Sequence, residues 1–161
     1  MYKRASEANG RLTLPESTLT SCEGIAVLVI EGNPDIRAGL VLTLTDWRCR
    51  VLAAASLEQA EPLLYAAGFT PDLIMTGLLT HAPGRLAAMD RMFRFAATLG
   101  LTAPVIVVSG DGDPLSRAAA EARGWSFLLK PVTAETLRAA VLAAVCPAGL
   151  SAAHRSDALE P

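Results

Sequence analysis

A chain of 161 residues, 52% hydrophobic and 19% charged, with 12 glycines, 10 prolines and a formal net charge of −2, has the length of one ordinary domain. Its apolar fraction excludes intrinsic disorder, and the lack of a basic excess argues against nucleic-acid binding through phosphate neutralisation. No apolar run reaches the ~20 residues of a membrane span, and residues 1–24 hold no continuous apolar core for a signal peptide.

Three cysteines, Cys22, Cys49 and Cys146, form no C-x-x-C pair, and the two histidines, His81 and His154, lie far apart. The expectation is a soluble, cytoplasmic protein in a reduced compartment, with no metal, no cofactor and no membrane contact. Residues 1–24 are polar and aperiodic and read as a flexible leader. The folded domain is expected over 25–146, and a loose tail over 147–161.

The run Ile25–Ile30 is apolar on both faces, as in a strand of a parallel sheet covered on both sides. Asn33 and Pro34 then cap and open a helix, with Ile36, Leu40 and Leu44 on one stripe. Arg50–Ala53 reads as a second strand. Ser56 and Gln59 form a capping box for a second helix, which Gly68 ends and Pro62 is expected to bend or shorten. A third strand over Asp72–Thr76 leads through a loop at Pro83-Gly84 to a helix over Arg85–Leu99, closed by Gly100. Val105–Val108 is the fourth strand. Asp113-Pro114 starts a helix that Gly124 stops, and Ser126–Leu129 is the fifth strand. Thr133 opens a final helix carrying Leu137, Val141 and Val145 on one face, ended by Cys146-Pro147.

Five strand-then-helix units predict an α/β, flavodoxin-like (βα)5 fold: a doubly wound parallel sheet in the order 2-1-3-4-5. Chemistry in such a sheet gathers beyond the carboxyl ends of its strands, at the switch point between strands 1 and 3. The segments there are Val27–Arg37, Pro71–Gly77, Pro104–Gly110 and Phe127–Pro131. On these four segments the chain resembles, over residues 25–145, the receiver domain of two-component response regulators.

The resemblance implies a role for each matching position. The two acidic positions after strand 1, the second a Mg²⁺ ligand, match Glu31 and Gly32. The phosphoacceptor aspartate matches Gly77. The hydroxyl switch matches Ser109, the aromatic switch Phe127, and the phosphate-pairing lysine Lys130, whose bond to Pro131 is usually cis in the family. Phosphorylation at such a receiver site needs a carboxylate nucleophile and a charge-neutralising metal. Gly77 has no side chain to attack with, and Gly32 lacks the metal-binding carboxylate. Thr76 points to the opposite face, and Asp72 lies about 16 Å away along the strand. Asp111 and Asp113 sit on the loop after strand 4, where Asp113 is committed as a helix cap.

The expectation is a pseudo-receiver, not an enzyme, that acts in a two-component or phosphorelay system by phosphorylation-independent protein–protein contact. Its partner would be a histidine kinase, a phosphotransfer protein or another signalling protein. The resemblance points to helix 1 as a docking face and to the helix 4–strand 5–helix 5 face for a homodimer. The 14 residues after Pro147 are too few for a DNA-binding output domain. The alternatives are a small-ligand or anion site in the pocket emptied at Gly32 and Gly77, and phosphorylation at a non-standard residue.

Single residues carry narrower expectations. Glu31 and Lys130 either pair directly or are solvated remnants. Ser109 reads equally as a turn serine, and Phe127, Met89 and Met92 read as core. Trp47 and Trp125 are expected to pack on helix ends. Cys49 and Cys146 are expected to behave as small buried hydrophobes, and His81 as an ordinary loop residue.

Overall fold

A computed structural model of the chain describes residues 21–77 and 84–146. The elements alternate strictly. They are β1 (Ala26–Ile30), α1 (Pro34–Asp46), β2 (Arg50–Ala54), α2 (Leu57–Ala67), β3 (Leu73–Gly77), α3 (Arg85–Thr98), β4 (Val105–Ser109), α4 (Pro114–Glu121), β5 (Ser126–Leu129) and α5 (Ala134–Val145). The five strands are all parallel, in the order β2-β1-β3-β4-β5. The expected topology is therefore the observed one.

Strand alternation divides the interior into two layers. Val27, Val29, Leu73, Met75, Ile106 and Val108 pack against Leu44 of α1 and against Leu137 and Val141 of α5. On the other face, Leu28, Ile30, Ile74 and Val107 meet Ala60 and Leu64 of α2, Met89 and Met92 of α3, and Ala120 of α4. Every residue of β1 and β4 is buried, which is why both runs lack polar alternation.

The caps work through short polar side chains. The Asn33 side-chain oxygen accepts from the N–H groups of Asp35 and Ile36, at 2.9 and 3.1 Å, and Pro34 begins α1 where no donor is needed. Thr133 accepts from the Thr136 N–H at 3.1 Å. Ser56 accepts from the Gln59 N–H, but the return bond of the expected capping box is displaced by one residue. Gln59 Oε1 accepts from Ala55 N–H, the residue before the cap. Pro62 does not cut α2 short: the helix runs through it to Ala67 and ends on Gly68 at φ 56°.

Three further expectations need correction. Asp72 precedes β3 rather than opening it. Its carboxylate accepts from the Ala26 N–H at 2.8 Å while its own N–H donates to the Ala26 carbonyl, so it pins the amino ends of β1 and β3 together. The packed body also begins before Ile25. Cys22 is 1% exposed within the core, the Gly24 N–H donates to the Arg48 carbonyl, and the Cys49 thiol donates to the Cys22 carbonyl at 3.3 Å. Burial, with the Cys22 thiol alongside, pushes the Cys49 thiol up to about 11, so it stays protonated and unreactive at neutral pH. Cys146, expected to be buried, is exposed because it caps α5 where the helix leaves the core.

Met89 and Met92 are buried as expected, and Trp47 and Trp125 are half-buried against the two core layers. His81, His154, the loop proline Pro83, most of the leader and the tail from Pro147 lie outside the described residues. Among the described residues, no helix is long and apolar enough to cross a membrane.

Candidate functional site

The switch point falls between β1 and β3, whose last pairing is Ile30 with Thr76. Glu31 and Gly77 follow those two residues, so register places them side by side. The Glu31 main chain extends the ladder, donating to the Ala54 carbonyl at 3.0 Å. Arg37, one turn into α1, folds back and donates to the Glu31 carbonyl at 2.6 Å and to the Gly32 carbonyl at 3.4 Å. That brace fixes the β1–α1 turn and aims the Glu31 side chain inward.

The Glu31 carboxylate is buried. Its Oε1 accepts from the Asn33 N–H at 2.9 Å, and its Oε2 lies 3.3 Å from Nζ of Lys130. Lys130 follows β5, is tied to β4 by its N–H donating to the Ser109 carbonyl at 2.7 Å, and precedes Pro131 through a cis bond. The direct pair is thus present. Its partners are unequally covered, with side-chain exposures of 7% for Glu31 and 27% for Lys130.

Gly77 explains where the carboxylate sits. A Cβ at position 77 would lie 2.0 Å from Oε2 of Glu31 and 2.8 Å from its Cδ, far inside contact distance. Glu31 therefore fills the volume a side chain at 77 would occupy. The expected vacancy is closed on this side. On the other side of the sheet a recess of about 90 Å³ remains, lined by Gly32, Gly77, Thr76, Met89, Met92 and Trp125 among others. It is mainly apolar, and Lys130 is not part of its wall.

The Mg²⁺ that the resemblance implies does not fit these residues. A hard dication is held by oxygen ligands, usually including one or two carboxylates. Gly32 and Gly77 offer none from their side chains, and the Glu31 oxygens already serve an ammonium and a backbone N–H. Among the described residues, no three His, Cys, Asp or Glu side chains are grouped to hold a metal ion.

Asp111 and Asp113 are engaged elsewhere. Arg85, the first residue of α3, forms an ion pair with Asp111 and lies 4.0 Å from Asp113. Asp113 caps α4, accepting from the N–H groups of Leu115 and Ser116 and from the Ser116 hydroxyl at 2.9 Å. That hydroxyl, then the backbone donors and Arg85, hold the Asp113 carboxyl below its usual range. Ser109, 1% exposed, spends its hydroxyl on Asp111, accepting from the N–H at 3.1 Å and donating to the carbonyl at 3.2 Å. It is a turn serine in this geometry. Phe127 is buried in the α2–α3–α4 layer, with the Arg117 guanidinium 4.9 Å above its ring. Sequence alone does not single out Arg37, which reaches back over the turn before its own helix, or Arg85 and Arg117, whose partners lie on other elements.

No protein-family model matches the chain, and no curated protein does. Solved structures do. A response regulator receiver domain protein from Clostridium thermocellum is 24% identical, with a TM-score of 0.62 over 75% of this chain and 94% of its own. A two-component response regulator from Clostridium difficile is 22% identical, with a TM-score of 0.63 over 75% and 95%. The Vibrio cholerae chemotaxis protein CheY4 is 22% identical, with a TM-score of 0.57 over 75% and 98%. At these identities the likeness is one of fold. The chain has the receiver fold of two-component response regulators.

Proposed function

We propose that this protein is a pseudo-receiver: a docking module of a two-component or phosphorelay system that works by protein–protein contact without accepting a phosphoryl group. The observation that carries the reading is the occupation of position 77 by a neighbour. Gly77 supplies no nucleophile, and the Glu31 carboxylate lies in its place, buried and engaged at both oxygens. The charge that would pair a phosphoryl group, on Lys130, is already neutralised from within. Such a site holds one arrangement and leaves its outer surfaces to act as constant docking faces for a histidine kinase, a phosphotransfer protein or another signalling partner. Fold alone does not assign this role, so it rests on the altered site.

Incubating the native chain with a small acyl phosphate and Mg²⁺, then weighing it intact, tests the reading. The expected result is an unchanged mass. An acyl-labile adduct of about 80 Da, one phosphoryl group, would sink it and revive phosphorylation at a non-standard residue.

Self-association through α4, β5 and α5 belongs to the same proposal. Leu115 at the start of α4 is 70% exposed, and Leu129 at the end of edge strand β5 is 45% exposed and packs beside Gly112. Two exposed leucines flanking one loop suit an apolar contact between copies. Leu115→Glu is expected to shift the sedimentation coefficient from dimer to monomer. A native chain that sediments as a monomer at high concentration removes the dimer from the proposal. The anion-binding alternative finds no support in the recess beside Gly77, whose wall is mainly apolar and whose one cation among the described residues, Arg91, pairs with Glu58.

A further inference from the structure

Glu31 and any side chain at position 77 compete for one volume, and the fold holds that volume open. β1 and β3 are locked in register on either side of it, with all of β1 and Leu73–Thr76 of β3 buried, so the backbone cannot close over a vacancy. Gly77 contributes no atoms to fill it. Among the described residues, the groups that bond the carboxylate filling it are one ammonium, Lys130, and one backbone donor, the Asn33 N–H at the amino end of α1. Both attract negative charge, and the helix end adds its own partial positive charge.

We infer that Glu31 is a tethered occupant of a latent carboxylate-binding site formed by Lys130, Asn33 and the open side of Gly77, and that vacating it lets a small monocarboxylate bind there. The inference rests on the reading of position 77 as a place without an acceptor side chain. Truncation of glutamate to alanine removes one methylene and one carboxylate, which are the atoms of acetate. The site is therefore matched to acetate or formate in size as well as in charge. In the native chain the tether keeps the effective concentration of that carboxylate beyond what a free anion reaches, which closes the site.

Thermal unfolding of Glu31→Ala in acetate, formate, inorganic phosphate or chloride, at equal ionic strength, tests this. Acetate and formate are expected to raise its melting temperature by about 3 °C at tenfold excess over Kd, by mass action on the folded state. The native chain, Glu31→Ala/Lys130→Ala and Glu31→Ala/Gly77→Ala should show no such rise. The second lacks the cation, and in the third a methyl fills the vacancy. Equal shifts in all four chains, no shift in Glu31→Ala, or a shift with phosphate alone would each overturn the inference.

If Glu31→Ala does not fold in chloride, refolding it in acetate gives the same reading. Recovery in acetate supports the site, and no recovery in any anion rejects it. A failure here leaves the native chain's mass after acyl phosphate treatment unchanged. The docking reading and this inference therefore fall separately.

Discussion

Gly77→Asp, which restores the acidic residue of the receiver pattern at the end of β3, is expected to destabilise the protein by about 3 kcal/mol and to leave it unphosphorylated. The cost has two sources. The new Cβ lands 2.0 Å from Oε2 of Glu31, so the existing carboxylate must leave its bonds to Asn33 and Lys130. Overpacking of this kind costs about 1–3 kcal/mol. A second carboxylate against the first then adds like-charge repulsion in a buried site. Urea denaturation measures the loss. Glu31→Ala in the same background should recover most of it, because the two carboxylates no longer share one place. A Gly77→Asp chain as stable as the native one would mean that Glu31 moves away freely and does not own the volume.

Lys130→Ala is the second large effect, expected at about 2–3 kcal/mol against about 1 kcal/mol for Glu31→Gln. The asymmetry follows from unequal burial. Removing the lysine strands a carboxylate that is 7% exposed, with one backbone N–H as its remaining partner. Removing the glutamate's charge leaves an ammonium that is 27% exposed and reaches water by a small rotation. The figure for Lys130→Ala stands below that of a fully dry pair because water already touches the lysine. Denaturant midpoints of the two variants check the order. The reverse order would show that the carboxylate, rather than the ammonium, is the solvated partner.

Much of the architecture was legible because it is periodic or local. The apolar run of β1, the Asn33-Pro34 and Asp113 caps, and the glycines beyond α2, α3 and α4 are written in neighbouring residues, and the topology follows from five repeated units. The pairing of Glu31 with Lys130 was also within reach, since each was the one opposite charge left at the strand ends. Its depth was not. That Glu31 enters the volume of residue 77 depends on the β1–β3 register, which no tight turn fixes in a parallel sheet.

Other misses share that origin. Asp111 reads from sequence only as a residue of the loop after strand 4, yet Arg85 reaches it from α3; Asp72 reads only as too far along the strand to serve the site, yet its carboxylate bonds the Ala26 N–H. The capping box at Ser56 slid to Ala55 because a glutamine side chain reaches whichever donor the incoming chain presents. For Asp111 and Asp72 the partner lies on an element whose approach is set by packing, and composition carries no record of that approach.

The burial of Cys22 bears on how the protein is handled at the bench. Because the segment before β1 folds onto Cys49 and bonds to Arg48, fusion junctions, tags and cleavage sites belong upstream of Ser21. A trimmed version starting at Ile25 would strip the cover from the Cys49 thiol and leave an oxidisable sulfur beside an exposed sheet edge.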